Sequence, residues 1–129
     1  VKRKRNKFGV SPAHERTWKG KTYPSKAEMQ YAQHLDLAVR TGGIAKVTEQ
    51  PRFKLTKAEI VYVADFLVED QSGYMWVVDV KGMETPEFKL KKRLWKHYGP
   101  PMPLEIVKKS GSIWKTTETV DGPEEGESQ

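Results

Sequence analysis

Two aspartates set inside apolar sequence constrain this chain more than any other feature. Residues 60–81 read I-V-Y-V-A-D-F-L-V-E-D-Q-S-G-Y-M-W-V-V-D-V-K. Two apolar runs flank Asp70-Gln71-Ser72-Gly73, a polar cluster ending in glycine, which predicts a β-hairpin. Side chains alternate across a strand, so Ile60, Tyr62, Ala64, Phe66 and Val68 should share one face and Val61, Val63, Asp65 and Leu67 the other. Both faces are apolar, as expected of a covered central strand. In the second strand Asp79 and Lys81 share a face with Met75 and Val77. A buried carboxylate is costly unless it is paired, hydrogen-bonded or bound to a cation. Asp65 and Asp79, one strand apart, can face one point and offer the hard oxygen ligands that Mg²⁺ prefers, with Lys81 beside the ion. The alternative is that both aspartates lie at strand ends in water and Lys81 is an ordinary surface lysine.

A chain of 129 residues fits one domain with a core of its own. It contains no cysteine, which excludes disulfides, thiolate zinc sites and cysteine nucleophiles and is compatible with a reducing cytoplasm. No apolar run approaches a membrane span and no signal peptide is visible, so the expectation is a soluble, cytoplasmic protein with no membrane partner. Lysine and arginine number 23 against 17 acids, a net charge of +6. The two signs are segregated. Lys2, Arg3, Lys4, Arg5 and Lys7 form a basic arm suited to a polyanion, whereas Glu118, Asp121, Glu124, Glu125 and Glu127 form an acidic tail. The expected division is an arm over residues 1–16, a domain over 17–117 and a tail over 118–129.

Ser25-Lys26-Ala27-Glu28 has the form of a capping box, with Ser25 as N-cap and Glu28 at the third helical position. The helix it opens carries Ala27, Tyr31, Leu35 and Ala38 at helical spacing and stops at Thr41-Gly42-Gly43. Glu28 sits at the edge of the packed face, where it is either a cap or a third acidic ligand, and the box alone explains it. Residues 44–48 and 52–55 read as short strands separated by Glu49-Gln50-Pro51, at the edge of the same sheet. Thr85-Pro86 opens a second helix running to about Tyr98, with Leu90, Leu94 and Tyr98 as its apolar face. Lys89, Lys91, Lys92, Arg93 and Lys96 are interleaved with them, and this basic face would border a phosphate lying over the metal. A last strand is expected over 104–108. The three histidines show no ligand spacing, and the four tryptophans are expected in packing.

The order of a helix with Glu28, a strand with Ala64-Asp65, a strand with Asp79-Val80-Lys81, then a helix and a strand resembles the core of the PD-(D/E)xK nuclease superfamily. Within it, the chain resembles short phage-encoded endonucleases of the Holliday-junction-resolvase type. Their pattern appears here as Ser25-Lys26-Ala27-Glu28, Gln50-Pro51, Tyr62-Val63-Ala64-Asp65-Phe66 and Asp79-Val80-Lys81-Gly82. Ala64 stands where the superfamily's name has proline, a backbone preference and not a ligand. The resemblance implies an α/β fold with a mixed central sheet of four to five strands flanked by helices. It also implies a catalytic set of Glu28, Asp65, Asp79 and Lys81, with Mg²⁺ held by Asp65, Asp79, the Val80 carbonyl and Glu28, and Mn²⁺ as a substitute. Glu28 would then be an active-site acid that also caps its helix. The substrate implied is DNA, branched DNA in particular; from the charge pattern, Lys2, Arg3, Lys4, Arg5, Lys89, Lys92, Arg93 and Lys96 are the residues expected to contact it. The assembly implied is a homodimer, with Trp18 to Tyr23 as a candidate contact, and the location is a host cytoplasm if the chain is phage-encoded. A catalytically inactive nucleic-acid-binding or host-factor-interaction protein on the same fold is the alternative.

Overall fold

The computed structural model describes residues 10–124. The basic residues Lys2, Arg3, Lys4 and Arg5 lie outside that range. A small hairpin of β1 (Thr17–Trp18) and β2 (Lys21–Thr22) turns through Lys19 and Gly20, both at positive φ, the geometry of a type I′ turn. Helix α1 (Lys26–Arg40) follows, capped by Ser25, whose side chain accepts from the Glu28 N–H. Then come β3 (Lys46–Glu49), β4 (Arg52–Lys54), β5 (Val61–Val63), β6 (Phe66–Glu69) and β7 (Met75–Val80). Helix α2 (Pro86–Tyr98) is capped by Thr85 as the Thr-Pro pair predicts, and leads to β8 (Pro103–Ser110) and β9 (Ile113–Asp121).

Five strands form one mixed sheet in the order β3-β6-β7-β8-β9. Only β7 and β8 run parallel, because α2 lies between them in sequence and returns the chain to the starting edge of the sheet. Alternation along β7 divides the interior. Val78 joins Tyr31, Leu35, Phe66 and Val68 in the core under α1, while Val77 joins Tyr62, Leu104 and Trp95 in the core under α2. Among the described residues, no helix is long and apolar enough to cross a membrane.

Several sequence expectations need correction. The apolar run from Ile60 to Val68 is two strands. β6 pairs with β3 and β7 in the main sheet, while β5 pairs with β4 in a separate two-stranded ribbon, so residues 52–54 do not edge the sheet. The register is the same on both sides of the interruption, where Gln50-Pro51 lies opposite Ala64-Asp65. Pro51 has no N–H to give, and Gln50 takes a positive φ, so the ladder bends there. The bend also changes which core each half reaches: Tyr62 packs under α2 and Phe66 under α1, although strict alternation puts them on one face.

Helix α2 is rotated from its expected setting. Phe88 and Trp95 are buried, whereas Leu90 and Tyr98 are 45% and 46% exposed. The positions completing the buried face at helical spacing are Lys91 and Lys92, which hid it from a search for apolar periodicity. The strand β9 has no counterpart among the sequence-based expectations, and it takes in Glu118 and Asp121, which were expected in the tail. In the Trp18–Tyr23 segment, Tyr23 is buried with its hydroxyl donating to Glu49 at 2.7 Å, Trp18 is half-buried, and Lys19, Gly20 and Thr22 are exposed.

Candidate active site

The break between β5 and β6 places the acids. Asp65 sits in it, and its Oδ2 accepts the Val80 N–H at 2.7 Å, which ties the break to the end of β7. On β7, Asp79 points under α2 and is 1% exposed. Its Oδ2 accepts a short hydrogen bond from the Tyr62 hydroxyl on β5, and Lys81 Nζ lies 2.8 Å from its Oδ1. No donor among the described residues makes a well-aligned hydrogen bond to that buried Oδ1, so its contact with Lys81 is one of charge. From the other core, α1 brings Glu28, 3% exposed, whose Oε1 accepts from Gln50 Nε2 at 2.8 Å. Only half of the expected capping box is therefore made. Ser25 caps the Glu28 N–H, but the Glu28 carboxyl is turned to Gln50 and Asp65.

Burial and mutual repulsion act together on these groups. Burial pushes the Asp65 carboxyl up to about 9, and the nearby charges of Asp79 and Glu28 add to the effect. The Val80 N–H and Lys81 oppose it. Burial likewise raises Glu28, a hydrogen bond with Asp65 works against that, and Asp79 adds to it. Tyr62 is held well above its ordinary value by burial and by Asp79, so it stays a donor.

A cleft of about 320 Å³ opens on the α2 side of these groups, and Asp65, Asp79, Lys81, Phe88 and Lys91 are among its walls, whereas Glu28 is not. Lys81 Nζ lies 4.3 Å from the centroid of the Phe88 ring, which confines its approach to one side. Lys91 reaches across from α2 to the Val61 carbonyl at 2.5 Å. Asp65, Asp79 and Glu28 supply hard oxygen donors that could hold a small divalent cation. The buried Oδ1 of Asp79 and the crowding of three carboxyls both favour added positive charge. Among the described residues no three such ligands stand together as a ready-made group, and Tyr62 and Lys81 hold Asp79 from either side.

The structure brings Glu28, Asp65, Asp79, Val80 and Lys81 together. The basic residues of α2 divide. Lys89, Arg93 and Lys96 are exposed, but Lys92 is ion-paired with Glu84 and, at 2.6 Å, with Glu118 of β9. Three contributors were not picked out as site residues from sequence: Gln50, Tyr62 and Lys91. A buried tyrosine needs a partner for its hydroxyl, which is the signal that Tyr62 offered. Lysines at both middle positions of the Phe88–Trp95 face were the signal for Lys91.

No curated protein and no solved structure matches the chain. A family model does, described only as a protein of unknown function and matching residues 6–113, so the chain belongs to the DUF1064 family.

Proposed function

We propose that the protein is a metal-dependent endonuclease that hydrolyses phosphodiester bonds in DNA, after the pattern of the PD-(D/E)xK nucleases its sequence resembles. One observation carries the reading: Asp65, Asp79 and Lys81 line one open cleft, with Lys81 Nζ 2.8 Å from Asp79, and the buried Glu28 of α1 stands behind them within hydrogen-bonding reach of Asp65. Asp65, Asp79, the Val80 carbonyl and Glu28 are the groups that would hold Mg²⁺, or Mn²⁺ in its place. When bound, the ion supplies Lewis acidity toward the phosphate and a more acidic water.

The chain's own residues do the rest. Tyr62 fixes the Asp79 carboxylate through Oδ2, leaving the buried Oδ1 to face Lys81. Lys81 holds an ammonium at that oxygen and offsets negative charge as it develops on the phosphate oxygens. Lys89, Arg93 and Lys96, with the arm residues Lys2, Arg3, Lys4 and Arg5, bind the DNA backbone at a distance from the chemistry. Lys92 is left out of that set because Glu84 and Glu118 already neutralise it.

The proposed substrate is branched DNA, the Holliday junction first, in a host cytoplasm if the chain is phage-encoded. Resolution needs two symmetric incisions, and one acidic cluster of this kind is present among the described residues, so the proposed unit is a twofold homodimer. Four-way junctions and linear duplexes incubated with the protein in Mg²⁺, Mn²⁺ or chelator test the reading. Metal-dependent, paired nicks across the branch point are expected. Salt-sensitive binding without cleavage in any divalent ion would leave a DNA-binding module.

A further inference from the structure

Glu28 has two possible partners, and the fold chooses the less local one. As the third residue of α1 it is placed to reach back to the Ser25 N–H and complete the capping box. Its carboxyl instead accepts from Gln50 Nε2 at 2.8 Å. Gln50 is unusual in its own right. Its φ is 54°, in the left-handed region that disfavours a side chain. Among the described residues two others with side chains share that feature, Lys19 and Glu59; Lys19 belongs to the β1–β2 turn and Glu59 to the loop between β4 and β5. Gln50 lies between β3 and β4, opposite the Ala64-Asp65 break, and its N–H donates to the Asp65 carbonyl at 2.9 Å. A single residue thus contacts the Glu28 carboxyl through its side-chain amide and the main chain of Asp65 through its N–H. It is also exposed, so replacing it opens no core.

We propose that Gln50 is a positioning residue that draws the Glu28 carboxyl away from the helix cap and holds it toward Asp65 and Asp79. The inference rests on the hydrolase reading above. The strained backbone is where such a role shows itself, since glycine would fit this φ without the steric cost. Glycine at position 50 would relieve the strain and free Glu28 to close its capping box. Both effects favour the folded state, against the greater chain entropy glycine has when unfolded. The acidic set would meanwhile lose the hold on its third member. An ordinary structural hydrogen bond behaves differently, because its loss lowers stability and leaves metal affinity alone.

The test uses the full chain, Gln50→Gly, Glu28→Gln and the double variant. Three quantities are read: the ¹³C resonance of the Glu28 carboxyl, the Tm, and Mg²⁺ affinity by calorimetry. Gln50→Gly is expected to displace the Glu28 resonance, keep or raise the Tm, and weaken Mg²⁺ binding about tenfold, the lower end of what removing a ligand's supporting partner costs. In the Glu28→Gln background the same change should leave Mg²⁺ affinity where it was. An unmoved Glu28 resonance, or a lowered Tm with wild-type Mg²⁺ affinity, overturns the role of Gln50. A wild-type protein that binds no Mg²⁺ overturns the hydrolase reading, and the Glu28 resonance still decides whether Gln50 positions the carboxyl.

Discussion

The two helices lie against opposite faces of one sheet, and both carry charge on the packed side, but to different ends. α1 buries Met29, Tyr31, Ala32 and Leu35 together with the acid Glu28. α2 buries Phe88 and Trp95 with Lys91 and Lys92 between them. The lysines meet groups that satisfy them: a carbonyl for Lys91, two carboxylates for Lys92. Glu28 meets an amide and two further acids. A charge that finds its complement explains itself through the fold. A charge gathered among its own kind raises the free energy of the folded protein, and a bound cation would lower it.

The strongest way to break this contrast is to remove one of the gathered charges. Asp79→Asn and Asp65→Asn should each reduce single-turnover cleavage by more than about 100-fold, beyond the cost of losing a ligand's outer partner, while circular dichroism and DNA binding stay close to wild type. Near-normal cleavage by either purified variant would remove the metal assignment.

A second experiment sharpens it without any substrate. Unfolded, Asp65 gives up its proton near 3.8; folded and metal-free, it holds the proton until about 9. The native state therefore binds more protons across that window, and stability falls as pH rises through it. The Tm of the metal-free protein should decline between about pH 4 and pH 9 beyond any general trend. Mg²⁺ should restore it at the alkaline end. Asp65→Asn should flatten the profile and gain on the order of 1 kcal/mol at neutral pH, because folding would no longer have to protonate a buried carboxyl. A profile equally steep in the variant would show that the acids do not strain the fold.

The smallest effects belong to α2, where inward and outward cations should part company. Lys92→Met should lower stability by about 1 kcal/mol, a modest value because its acid partners are partly exposed, and leave the salt dependence of DNA binding unchanged. Replacing Lys89, Arg93 and Lys96 together with alanine should do the reverse. Stability should hold, and the logarithmic salt slope should flatten by about 0.9 for each phosphate that the variant no longer neutralises. Equal slopes would mean that the exposed face of α2 does not touch DNA.

What the sequence determined by itself is the local part of the design. Ser25 and Thr85-Pro86 open their helices because a cap is decided within one turn. Asp70 to Gly73 turns the β6–β7 hairpin, and alternation alone puts Asp79 on the face away from Val78. The adjacency of Asp79 and Lys81 was legible for the same reason, whereas Asp65 owes its place to the strand break. Tertiary structure decided everything that depends on a partner far along the chain. The strand break at Ala64-Asp65 exists because Gln50-Pro51 lies across from it, and no property of residues 60–68 announces that. The strand β9, with few buried side chains, owes its form to backbone pairing with β8, so it left little hydrophobic pattern to read. The setting of α2 followed from Lys91 and Lys92 finding acceptors on other strands, and that of Glu28 from Gln50, 22 residues on. Local periodicity records what a segment would do alone; the placement of buried charge depends on which complement the rest of the fold supplies.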